Sequence, residues 1–225
     1  DTDTYNVAVG CLAGAAVTSG INNTLIGGLT GDALTSGQQN TALGYASLST
    51  DTQGKYSVGI GNFALASQNF TSDTASYNTA VGYASGAAVT TGTFNTLIGG
   101  LAGDGTDDGV GNTAVGYNSL SANAANYNVA IGHESLLACT GTNNTSVGVV
   151  AGSNVTSGSN NIFIGRDAGL TGSPGGNITT LSNEIYMGDE NITQAHIQVD
   201  WTVSSDQRDK TDFTALDLGL DFVKA

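Results

Sequence analysis

A short pattern that ends on glycine and returns every 16 or 17 residues restricts this chain to a repeat architecture. Its fullest copies, of the form N-T-A-V-G, are Asn6 to Gly10, Asn23 to Gly27, Asn40 to Gly44, Asn78 to Gly82, Asn95 to Gly99 and Asn112 to Gly116. Anchored on the last Gly, the series runs Gly10, Gly27, Gly44, Gly61, Gly82, Gly99, Gly116, Gly132, Gly148, Gly165 and Gly188, so eleven copies cover residues 5 to 188. Two spacings are longer, 21 residues before Gly82 and 23 before Gly188. A 72-residue echo overlies the short period, because G-A-A-V-T-S-G at 14–20 returns as G-A-A-V-T-T-G at 86–92. Self-similarity at a fixed short period is the mark of a solenoid. A unit of this length has no room for a strand, a covering helix and a return, which disfavours helical and leucine-rich repeats. Two short strands and two turns fit it.

Counting from the anchor Gly, position −1 is aliphatic or Met in every copy (Val9 and Ile26 through to Met187) and −3 is always Val, Ile or Thr. Position −2 is mostly small, as at Ala8, Ala42, Gly59 and Ala80, with Leu25, Leu97, Phe163 and Tyr186 as exceptions. This period of two predicts a short strand whose −3 and −1 side chains enter a core while −2 faces out. Asn at −4 in nine of eleven copies predicts a ladder of amides hydrogen-bonding along the stack. Position +3 is Ala, Ser or Thr and +4 only Gly or Leu, which suits a second, tighter strand or corner. The expected fold is all-β: a parallel β-roll or β-solenoid of about eleven coils, a rod roughly 50 Å long at about 4.8 Å per coil. Corner glycines account for much of a content of 33 Gly against one Pro. The thin core and the small outward residues predict that three copies bury a flank together, as a homotrimer.

Charge is sparse and acidic. Five Lys+Arg against nineteen Asp+Glu give −14, which supplies no footprint for nucleic acid. Residues 1–200 hold two cations, Lys55 and Arg166, against fourteen anions. No apolar run approaches a membrane span, and Asp1 opens no signal-peptide pattern, so the chain reads as a soluble piece of something longer.

The N-x-x-V-A-I-G-like coils of residues 5 to about 188 resemble the head repeats of trimeric autotransporter adhesins, in coils a few residues longer. After the last coil the texture changes: H-I-Q-V-D-W-T-V (196–203) alternates as a strand, and a helical start follows in which Leu216, Leu220 and Val223 share a face. The run Ser205, Asp206, Arg208, Lys210 resembles the S-D-x-R-x-K opening of the endosialidase-type intramolecular chaperone that ends many phage tailspikes and tail fibres. That resemblance implies a trimer-assembling domain that cuts itself off, with Ser205 as nucleophile and Lys210 as base, and Asp206 and Arg208 as motif support. A partly desolvated Lys can take the proton of an otherwise weak hydroxyl nucleophile. The organisation expected is a roll shaft over 1–195, a connecting strand over 196–204 and the truncated beginning of the chaperone over 205–225.

Together the resemblances imply a structural or receptor-binding segment of a trimeric phage tail fibre or tailspike used in host attachment. They imply location in the virion and extracellular, with a cell-surface glycan or protein as partner. The alternatives are a bacterial surface adhesin head and, less favoured, an ice-binding solenoid. The last is suggested by Thr24, Thr41, Thr79, Thr96 and Thr113, but their −3 position places them inward on this reading.

Other candidates carry bland alternatives. Asp104, Asp107 and Asp108 cluster in G-D-G-T-D-D-G, as a calcium loop or an acidic turn. Tyr45, Tyr83 and Tyr117 follow anchor glycines, as glycan-stacking rings or as packing between coils. Cys11 and Cys139 lie seven rungs apart, too far to pair, and read as small hydrophobes. His133 and His196 lack companions for metal ligation, so no metal and no cofactor is expected. The scattered acids form no recurrent catalytic pair, so no enzyme acting on external substrates is expected. The segment after Gly165, with Pro174, is the largest insertion and a natural place for a specific contact.

Overall fold

A computed structural model describes residues 4–196. A compact unit spans Asp1–Ile192 and holds the whole repeat. Its strands are β1 (Val7–Val9), β2 (Thr24–Ile26), β3 (Thr41–Leu43), β4 (Gly54–Lys55), β5 (Val58–Ile60), β6 (Thr74–Ala75), β7 (Thr79–Val81), β8 (Thr96–Ile98), β9 (Thr113–Val115), β10 (Val129–Ile131), β11 (Thr145–Val147), β12 (Ile162–Ile164) and β13 (Ile185–Met187). Eleven of them form one parallel sheet in the order β1-β2-β3-β5-β7-β8-β9-β10-β11-β12-β13, while β4 and β6 make a separate parallel pair. The register is one coil throughout: Val7 faces Thr24, Thr24 faces Thr41, and so on to Ile162 and Ile185. The chain is an all-β parallel solenoid, as the period predicts, and the described residues contain no helix.

Hydrogen bonds along the stack continue outside the strands. Each anchor Gly donates its N–H to the −1 carbonyl of the previous coil, as Gly99 to Val81 O at 2.8 Å, and each +2 residue donates to the previous +1 carbonyl, as Leu101 to Tyr83 O at 2.9 Å. Because alternate turn residues donate to a neighbouring coil, as Gly103 to Ser119 O, and those between them close within their own coil, as Ala102 to Gly99 O, the roll needs no second sheet. Among the described residues only the pair β4–β6 adds one, ten or more residues past the anchor Gly, and of the strand or corner expected at +3 and +4 the corner is what forms, as turn in every coil from Gly10 to Gly165.

The anchor glycines are dictated by this stacking. Gly99 has φ +133°, and a methyl group there would lie 2.5 Å from the carbonyl oxygen of Gly116 in the next coil. An L side chain at such a position is both strained and obstructed. The −4 asparagines pair with the neighbouring coil's backbone more than with each other. Asn112 Oδ1 accepts from Asn128 N at 2.9 Å, and its Nδ2 donates to Ala125 O at 2.7 Å. Asn23, Asn40, Asn78, Asn95, Asn128, Asn144 and Asn161 repeat the two contacts. Each amide thereby satisfies one buried N–H and one turn carbonyl that no strand partner reaches.

The faces of the strand are the reverse of the sequence expectation. In β2, β3, β8, β10 and β11 the −2 residue is buried, −3 is half-buried and −1 is exposed. The −2 positions therefore line the interior and the larger aliphatics point outward. The reason is the thinness of the roll, in which the −2 and +4 side chains meet across the axis and must share its width. Where −2 is Leu25, Leu97 or Phe163, the +4 residue is Gly31, Gly103 or Gly169; where −2 is Ala42, Gly59, Ala114 or Ala130, it is Leu48, Leu65, Leu120 or Leu136. Three times both are small, at Ala8 with Gly14, at Ala80 with Gly86 and at Ser146 with Gly152, and neighbouring coils fill the gap. A methyl group at Gly86 would meet Leu97 Cδ1 at 2.7 Å and Leu65 Cδ2 at 3.0 Å; one at Gly152 would meet Leu136 and Phe163, each at 2.9 Å.

The order of large and small thus repeats every four coils, which gives the 72-residue echo a packing meaning. Gly14 sits against Leu25 Cδ1 and Val17 Cγ2 as Gly86 sits against Leu97 Cδ1 and Val89 Cγ2. Deleting residues 14–85 joins Ala13 to Gly86 and keeps every core neighbour's size, so a shortened rod should fold with undiminished thermal stability per coil. Deleting only 87–103 removes Leu97 from between Gly86 and the coil that follows. It should cost about 2–5 kcal/mol in urea unfolding, the range for a lost core Leu. Asn112→Ala should cost about 2–4 kcal/mol by the same measurement, because it strands a buried N–H and a turn carbonyl.

Candidate functional site

With −2 turned inward, the outer surface of the large sheet becomes the most distinctive region of the molecule. Down its length runs the −1 column, with Val9 57%, Leu43 46%, Ile131 39% and Met187 46% exposed. Beside it stand the −3 residues, including Thr24, Thr41, Thr79, Thr96 and Thr113, all half-buried and on the outward side. Their expected inward direction is corrected with that of −1, since residues two apart on a strand share a face.

Aromatic rings edge this face. On the N-terminal side of the strands, at −5, Tyr56, Tyr77 and Phe94 stack with ring centroids 4.9 and 5.6 Å apart and planes within 17°. Their backbones take left-handed φ values of 62°, 50° and 60°, imposed by the corner before each strand. On the other side Tyr45, Phe63 and Tyr83 meet edge to face at 5.5 and 6.3 Å, and Tyr117 stacks on His133 at 5.5 Å. Tyr45 and Tyr117 also lie over Gly28 and Gly100 of the coil before, about 3.5 Å from where a methyl group would stand. All three tyrosines named as glycan candidates are half exposed, and each already contacts a ring of an adjacent coil.

Of the three loop aspartates, Asp104 and Asp107 turn apart. Asp104 Oδ1 accepts from Ser121 Oγ at 2.6 Å in the next coil, and Asp107 Oδ1 accepts from Thr90 Oγ1 in the previous one. Among the described residues no group of three His, Cys, Asp or Glu side chains is placed to hold a metal ion, and the Asp104 and Asp107 carboxylates turn to different rungs, as in an acidic turn. Cys11 is exposed and Cys139 buried, and both are free. His196 is exposed. Ser205, Asp206, Arg208, Lys210 and the helical start lie outside the described residues.

Two polar arrangements escaped the sequence reading. In the insertion after Gly165, Arg166, Asp167, Leu170, Thr171, Gly172, Asp189, Glu190 and Asn191 line a small open cleft. Arg166 Nε is 3.0 Å from Asp167 Oδ2. The backbone N–H and side-chain amide of Asn191, with help from the Arg166 charge, hold the exposed Asp189 carboxyl below its ordinary value. The insertion is tied at its neck by Ile178 N–H to Gly169 O at 2.9 Å, which brings Ile178 into the core.

The second arrangement lies inside the roll. The +7 column is apolar at Val17, Leu34, Val89, Cys139 and Val155 but carries Asp51 and Gln68 in two successive coils. Asp51 is fully buried, its Oδ1 accepting from Gly54 N at 3.0 Å and Phe70 N at 3.1 Å, its Oδ2 from Gln68 Nε2 at 2.6 Å. That column break is visible in the sequence once the positions are aligned. Burial pushes the Asp51 carboxyl above the usual carboxylate value, against the lowering effect of these donors. A folded-state pKa above the unfolded one means that the protonated form favours folding. This contribution is full below the unfolded value and is lost as pH rises through the folded one. The urea midpoint of the wild type should therefore rise more steeply on acidification from neutral pH than that of Asp51→Asn. Parallel pH profiles for the two proteins would contradict this.

Compared with known proteins, the chain matches no family model, no curated protein and no solved structure.

Proposed function

We propose that this chain is a structural and receptor-binding segment of a trimeric phage tail fibre or tailspike that serves host attachment. On this reading it acts in the virion, outside the cell, against a host-surface glycan or protein. The observation that carries the reading is the unbroken aliphatic column from Val9 to Met187, edged by aromatic rings, on the outer face of an otherwise small-residue rod. Monomeric proteins rarely leave an apolar patch of this extent in water, and such patches mark association. Three copies packed through the −3 and −1 columns would cover it, and the stacked rings at its borders would close the seam.

The S-D-x-R-x-K run supports the phage reading over a bacterial adhesin head. In the self-cleavage it implies, the Lys210 amine takes the Ser205 hydroxyl proton as Oγ attacks a nearby backbone carbonyl. The departing amine receives a proton, and water then hydrolyses the ester. In a gene that carries the full chaperone, Ser205→Ala should leave the product uncut on a denaturing gel. A truncated product from that variant would refute the role of Ser205.

In solution the chain should have a mass near three times 22.5 kDa by light scattering. Ile131→Asp, on the outward side of β10, should shift it to the monomer mass with little change in folded content by circular dichroism. A wild-type monomer would defeat the trimer.

The outward threonines favour one second reading, an ice-binding face, because −3 carries a hydroxyl in six of the eleven coils, three of them successive at Thr79, Thr96 and Thr113. The aliphatic −1 column and the rings beside it fit a protein seam better. Freezing-point hysteresis no greater than that of buffer is the expected result.

A further inference from the structure

We infer that the buried polar cluster at Asp51, Ser57, Gln68, Ser76 and Asn78 is a register lock, which admits only one stacking of coils whose backbones are interchangeable. A repeat this regular has a specificity problem. The segment N-T-L-I-G-G-L occurs identically at 23–29 and 95–101, every strand of the large sheet is three residues long, and its coils offer the same backbone partners. A slip by one coil, or by the four-coil echo, keeps backbone hydrogen bonds, anchor glycines and most Asn pairings. Registers that satisfy the same pattern are weakly distinguished.

The cluster breaks this degeneracy because its groups come from three successive coils and their donors and acceptors close only together. Gln68 Nε2 donates to Asp51 Oδ2 at 2.6 Å and to Ser57 Oγ at 2.8 Å, while Gln68 Oε1 accepts from Asn78 Nδ2 at 2.9 Å. The Ser57 and Ser76 hydroxyls are 2.5 Å apart, and Ser76 Oγ donates to Lys55 O at 2.9 Å, which leaves Ser57 to donate to Ser76. Gly54 and Phe70 N–H complete Asp51. All five side chains are fully buried and all are satisfied. In a slipped stack, Asp51 or Gln68 would face Leu34, Val89 or Cys139, and a carboxylate or amide would be buried without a partner. That penalty is far larger than any single pairing on the surface.

Two further features coincide here. Ser57 replaces the −4 Asn in this coil alone among the ten coils before the 23-residue spacing, which makes room for the Ser76 hydroxyl beside it. The 21-residue spacing before Gly82 supplies the extra chain that brings Ser76 and the pair β4–β6 into place. Thr106 is the contrast: it is also polar in the +7 column and fully buried, yet its hydroxyl has no partner. An isolated polar residue costs stability without selecting a register.

The test converts the column to its own apolar pattern. Asp51→Val with Gln68→Leu, in the full chain, is denatured, refolded and followed by hydrogen exchange with mass spectrometry, beside wild type and Thr106→Val. Wild type and Thr106→Val should each give one exchange envelope per peptide. The double variant should refold with a comparable thermal midpoint but give two envelopes, the faster one on peptides of a looped-out coil. A single envelope identical to wild type overturns the register lock. Should the double variant fail to refold, Gln68→Leu alone is measured, and a single envelope from that variant overturns it equally.

Discussion

The structure depends on one close approach, in which the anchor glycine of each coil lies directly against the glycine carbonyl of the next. At φ near +130°, with that oxygen 2.2–2.5 Å from where a methyl group would stand at most anchors, no other residue keeps the coils at sheet spacing. Everything else follows from the fixed spacing. The main-chain bonds of strand and turn run along the axis, and the Asn amide at −4 reaches both an N–H and a carbonyl of the neighbouring coil. Equivalent side chains stack in columns.

Columns make interactions collective. Inside, a Leu on one wall is matched by a Gly on the other, and the places where both are small are closed by leucines and a phenylalanine above and below. Outside, the same stacking joins half-exposed aliphatics into a continuous stripe and turns single tyrosines and phenylalanines into ladders. A column also magnifies any exception. Asp51 and Gln68 would be ordinary on a surface, but in an apolar column they demand partners from three coils. Asp104 and Asp107 lie three residues apart in one turn, yet their carboxylates bond to coils on opposite sides.

Much of this was legible in the residues. The spacing of Gly10, Gly27, Gly44 and their successors identified a parallel stack of short coils, and Asn6, Asn23 and Asn40 identified the ladder. The facing of the strand was misread because alternation shows only that −1 and −3 share a side, not which side. The usual inference that the larger aliphatics go inward fails in a roll too thin to hold them from two walls. The same error placed the threonines inward and the small residues on the flank. The cleft at Arg166 was foreshadowed only by the length of its insertion, since its residues meet through a loop closed at Gly169 and Ile178.

By itself the sequence determined the coil: its length, its glycine corner, its amide rung and its all-β character, because these are properties of local backbone geometry repeated along the chain. Only the tertiary structure decided which face is the core, since that depends on how much width two opposed walls leave between them. It also decided which polar groups become partners, because Asp51, Ser57, Gln68, Ser76 and Asn78 share a site only after three coils have stacked.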